Sequence, residues 1–64
     1  MDVKRLDADR YGIELTSMEL IIICNCINEV CNGITVSDFD ARIGAEMDVV
    51  ECMLRKLRAV RKSV

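Results

Sequence analysis

The stretch Leu15–Asn32, LTSMELIIICNCINEVCN, is the one long apolar run in the chain, and it carries its own start and stop signals. Thr16, followed three residues later by Glu19, makes a capping box, in which hydroxyl and carboxylate each satisfy a free backbone N–H of a first helical turn. At the far end, Asn32-Gly33 pairs two residues that tolerate positive φ, which predicts a left-handed closure of the last carbonyls. The span therefore reads as a central helix over residues 17–32.

At about 100° per residue, Leu20, Ile23, Cys24, Ile27, Val30 and Cys31 fall on one broad face, which is assigned to the core. Asn25, Asn28, Glu29 and Asn32 lie opposite. Met18, Ile21 and Ile22 break the pattern, because they project on the asparagine side, where a surface helix would carry charge. Either the N-terminal arm or the last helix folds over them, or another chain does. Met18, Ile21, Ile22, Asn25 and Glu29 are accordingly the candidate partner-binding residues.

A chain of 64 residues is a single domain, and at this size folding buries only about 60% of the surface exposed by the unfolded chain. Disulfides, a metal, oligomerisation or very regular helix packing would then have to add stability. Cys24, Cys26 and Cys31 share one helix, and Cys24 and Cys26 point about 160° apart, too divergent to pair without breaking it. With no histidine, and with only Cys24 and Cys31 sharing a face two turns apart, the spacing differs from that of structural zinc sites, so no metal and no cofactor is expected. The four cysteines, Cys52 included, read as reduced thiols serving as small hydrophobes. Reduced thiols, a charged MDVKRLDADR start and an apolar run too short to span a bilayer predict a cytoplasmic protein without a membrane helix.

Net charge is −2, but its distribution says more. Residues 1–54 hold all 11 acidic groups and four basic ones, whereas residues 55–64 hold five basic groups and no acid. An acidic body repels phosphate and suits basic partners. Tyr11 and Phe39 are the only aromatics, which leaves none of the stacking platforms of single-stranded nucleic-acid binders.

Outward from the central helix, residues 1–10 alternate in charge with only Val3 and Leu6 to bury, which predicts a mobile arm or one loose turn of helix. Tyr11–Thr16 alternates apolar and polar, as a short N-terminal strand would, and such a strand needs a partner, supplied by a second copy if not by this one. Past Gly33, Ser37 reads as the N-cap of a short helix over 37–43, with Asp38 and Asp40 in its first turn, Phe39 and Ile43 facing inward and Gly44 ending it. A last helix over 46–61 carries the stripe Val50, Met53, Leu54, Leu57 and Val60, with Glu51 and Arg55 spaced as an i,i+4 ion pair. Glu29 and Arg42 are expected to pair between the central and short helices. The fold class is thus all-α, two main helices plus one short one.

Without histidine or a phosphate-cradling glycine run, and with its carboxylates at helix starts, the chain is not expected to be an enzyme. Over residues 39–57, Phe39, Ile43, Gly44, Ala45, Val50 and Met53 carry a spacing that resembles a helix-turn-helix, which would imply DNA binding. Asp40 stands where a small residue usually lets those helices touch, and Glu46, Asp48 and Glu51 would face phosphates, so nucleic acid is not expected as a ligand. The string CINEVCNG over 26–33, followed by Asp38-Phe39 and Arg42-Ile43-Gly44 and then an amphipathic helix, resembles small bacterial helical proteins of the immunity-protein kind. That resemblance implies a protein that covers a toxin domain. The acidic surface of Asp38, Asp40, Glu46, Asp48 and Glu51 would then stand in for phosphate in a basic cleft. The expected partner is therefore such a toxin domain or, failing that, a second copy in a homodimer.

Overall fold

The structure is a computed structural model that describes residues 1–62. Its order is β1 (Asp2–Arg5), β2 (Tyr11–Glu14), α1 (Ser17–Asn28), a π-helical turn (Glu29–Gly33), α2 (Phe39–Ile43) and α3 (Met47–Lys62). The chain is mostly helical, and the all-α expectation is corrected by an antiparallel hairpin at the start.

The hairpin pairs Asp2 with Glu14, Val3 with Ile13, Lys4 with Gly12 and Arg5 with Tyr11. Residues 1–10 are thus neither an unpaired arm nor a turn of helix, and the partner that β2 required is the chain's own first segment. The connecting loop has none of the two-residue Gly turns that announce a hairpin. It is closed instead by Asp7, whose carboxylate accepts from Arg10 Nε at 2.7 Å and from the Asp9 N–H at 2.9 Å. The Arg5 guanidinium adds bonds to the carbonyls of Asp7 and Ala8 and lies 5.8 Å from the centroid of the Tyr11 ring.

The start of α1 forms as the capping box requires, with the Glu19 N–H donating to Thr16 Oγ1 at 3.2 Å and the Thr16 N–H donating to Glu19 Oε1 at 2.9 Å. Its end departs from the left-handed closure. The Ile34 N–H reaches the Glu29 carbonyl at 2.9 Å, a π-type bond, and Ile34 itself is extended (φ −125°). Gly33 keeps a negative φ and lies under the Glu29 side chain, which occupies the space a Cβ would need. Among the described residues the left-handed ones are Gly44 (φ 93°), which closes α2, and Asp38 (φ 52°), which opens it in place of Ser37 without a side-chain capping bond.

The core is where α1 and the π turn meet α3: Cys24, Cys31, Val50 and Leu54 are buried, with Leu20, Ile23, Ile27, Val30 and Leu57 half-buried around them. This is the face assigned from helical spacing. Little else is covered. The molecule measures 31 × 30 × 17 Å with a radius of gyration of 13.0 Å, where a compact domain of this length has about 10.7 Å. Its accessible surface is 5268 Å², against about 4,100 Å² for a folded monomer of this mass. Among the described residues the ion pairs are Met1–Glu19 and Arg10–Asp7, so the expected Glu51–Arg55 and Glu29–Arg42 pairs do not form.

Two carboxyl groups are tuned by these contacts. The Arg10 guanidinium and then the Asp9 N–H hold Asp7 below its ordinary 3.8, and the Thr16 N–H and then the Met1 ammonium hold Glu19 below its ordinary 4.5. A carboxylate held low in the folded state contributes stability above its ordinary value, and loses it as pH falls through the folded one. In an NMR pH titration the Glu19 carboxyl should therefore have its midpoint below 4.5, with the Thr16 amide shifting in step. A Glu19 midpoint at or above its ordinary value would remove the capping contact.

Candidate partner-binding surface

Positions 18, 21, 22, 25 and 29 recur at helical spacing, so α1 and the first residue of the π turn place Met18, Ile21, Ile22, Asn25 and Glu29 on one stripe. All five are exposed, Met18 at 71%, Ile22 at 54% and Ile21 at 39%. Neither the hairpin nor α3 folds over them. A partial shelter is a shallow groove in which Ile21 joins Leu15, Leu20, Val60 and Arg61, where the start of α1 lies beside the end of α3.

Asp38, Asp40, Glu46 and Asp48 are exposed and Glu51 is half-buried; Asp38 precedes α2, Asp40 lies on it, Glu46 in the turn after it, and Asp48 and Glu51 on α3. Asp48 Oδ1 accepts from the Val49 N–H at 2.9 Å, and Asp40 lies in the first turn of α2, so both complement a positive helix end. The basic groups gather at the other end of α3, where Arg58, Arg61 and Lys62 border one depression. Over the helix-turn-helix resemblance, α2 has five residues and at most marginal contact with any other element. The packed helix pair that holds a recognition helix in a groove is therefore missing.

Two features were not expected from the sequence. Asn28, placed on the wet side by its spacing, accepts from Arg58 Nη2 and from Asn32 Nδ2, each at 3.1 Å, and so ties α3 to α1 and the π turn. The hairpin also presents a second apolar face, Val3, Tyr11 and Ile13, exposed at 57%, 60% and 55%. Alternation in YGIE was legible, but the matching alternation in DVKR was masked by charge.

Chemically this is an exposed apolar stripe bordered by an amide and a carboxylate. Among the described residues no three His, Cys, Asp or Glu side chains are placed to hold a metal ion, and no helix is long and apolar enough to cross a membrane. The cysteines are free thiols, Cys24 and Cys31 in the core, Cys52 half-buried and Cys26 exposed. No family model, no curated protein and no solved structure matches this chain.

Proposed function

We propose that this chain is a non-catalytic protein-binding module of the cytoplasm, and most specifically an immunity- or antitoxin-like protein that covers a toxin domain. The observation that carries this reading is the exposed stripe Met18, Ile21 and Ile22 on a well-capped helix. Contiguous apolar surface on a small protein marks a contact site, and flexible Met beside branched Ile suits an anchor cluster ringed by polar groups such as Asn25 and Glu29. Charge adds the kind of partner. Exposed Asp38, Asp40, Glu46 and Asp48 favour a basic surface such as the substrate cleft of a nuclease toxin, where carboxylates occupy the place of phosphates and speed the encounter.

Coexpression tests it. Each reading frame adjacent to this gene is induced alone and together with this chain, and one whose product arrests growth is expected to be neutralised by it. If none is neutralised, the toxin reading fails. If instead the purified chain retards duplex DNA in a salt-dependent way, the helix-turn-helix regulator takes its place.

A further inference from the structure

We propose that β2 is the seam of a homodimer: the free edge of Tyr11–Glu14 pairs antiparallel with the same edge of a second copy, about a twofold axis through Gly12. The product is a four-stranded sheet, with β1 outermost on each side. It involves a surface separate from the α1 stripe.

The Leu6 N–H donates to the Arg10 carbonyl at 2.9 Å, which marks residues 6 and 10 as a hydrogen-bonded pair of the hairpin. Bonded and non-bonded pairs alternate along an antiparallel ladder, so Lys4–Gly12 and Asp2–Glu14 are the other bonded pairs. Tyr11 and Ile13 therefore turn their N–H and C=O groups away from β1, toward the open edge. A lone two-stranded hairpin is marginal in water, and an open edge is a template for another strand. β1 blunts its edge with Asp2, Lys4 and Arg5, whereas β2 has no proline, lysine or bulge.

The β2 sequence is complementary to itself in one register. Centred on Gly12, the pairing sets Tyr11 opposite Ile13 of the second copy and Ile13 opposite its Tyr11, an aromatic–branched pair made twice. Each exchanges both backbone bonds, because these are the residues whose polar groups face outward. On the other face Arg10 meets Glu14 of the second copy, also twice. Glu14 is exposed and makes no ion pair among the described residues, and the Arg10 side chain, 75% exposed, has donors beyond those on Asp7. Centring on Tyr11 instead would set Ile13 against Asp9 and lose both ion pairs, while a one-residue slip would set side chains on opposite faces.

At the axis, the two facing residues form a non-bonded pair with Cα atoms about 4.5 Å apart, a close approach that glycine accepts best. Pairing would also join the exposed Val3, Tyr11 and Ile13 of two copies into one continuous apolar face.

Light scattering on the eluting full chain should give twice the 7.2 kDa chain mass, and a monomer at the highest soluble concentration would overturn the proposal. Ile13→Pro deletes an outward N–H without touching a hairpin bond, so it should yield a monomer with unchanged helical circular dichroism; a persistent dimer would overturn the β2 seam. Gly12→Cys, made with Cys26→Ser to remove the exposed native thiol, should fit, since an added Cβ meets only ordinary contacts, Leu6 Cδ2 at 3.4 Å. Under oxidised glutathione it should form on the order of ten-fold more covalent dimer than Lys4→Cys in the same background, because the pair at the axis lies within disulfide reach. Equal or greater cross-linking of Lys4→Cys would move the seam off β2 and overturn it.

Discussion

Leu54→Ala is expected to leave the chain largely unfolded at ambient temperature. Leu54 is 3% exposed and belongs with Val50, Cys24 and Cys31 to the small buried set found where α1 and the π turn meet α3. Truncating a buried leucine costs about 2–5 kcal/mol through lost transfer energy and the cavity left behind. A domain of this length has only about 3–10 kcal/mol in total, and the wide exposed surface places this one toward the lower end. A urea titration followed by circular dichroism should show the variant's midpoint collapsing toward zero denaturant. A midpoint close to wild type would mean that the helices are held together by something other than this cluster.

Ile22→Glu, on the same helix as Cys24, should do the opposite: keep the fold and lose the partner. At 54% exposure the glutamate stays hydrated, so stability should move by no more than about 0.5 kcal/mol. Inside a dry interface the same charge would be stripped of water without a counterion, which costs about 2–5 kcal/mol, or roughly 30-fold to several thousand-fold in affinity. The readouts are a melt of the free variant and, with the neutralised reading frame in hand, a titration against its product. Unfolding of the free variant would show Ile22 to be core and would withdraw the stripe as an interface. The β2 dimer should survive this change, so the two surfaces can be tested apart.

The elements whose signals are local were legible in the sequence. Thr16 and Glu19 cap α1 from positions one helical turn apart, and the Val50–Leu54 side of α3 repeats at helical spacing, so a window of a few residues carries the whole message. The stripe Met18, Ile21 and Ile22 was also visible there, as a conflict between apolar residues and a polar face. What lay outside any local window was decided by the tertiary structure. Strand β1 exists because Val3 finds Ile13 across a loop closed by Asp7, a pairing that charge alternation in residues 1–10 conceals. The end of α1 relaxes into a π turn with Glu29 folded over Gly33, although Asn32-Gly33 promised a left-handed stop, and there the chain meets α3. Whether the stripe is core or surface was likewise beyond the sequence, since exposure depends on where the hairpin and α3 lie; the hairpin stands off α1, α3 covers the Cys24 side, and Met18 and Ile22 are left facing water.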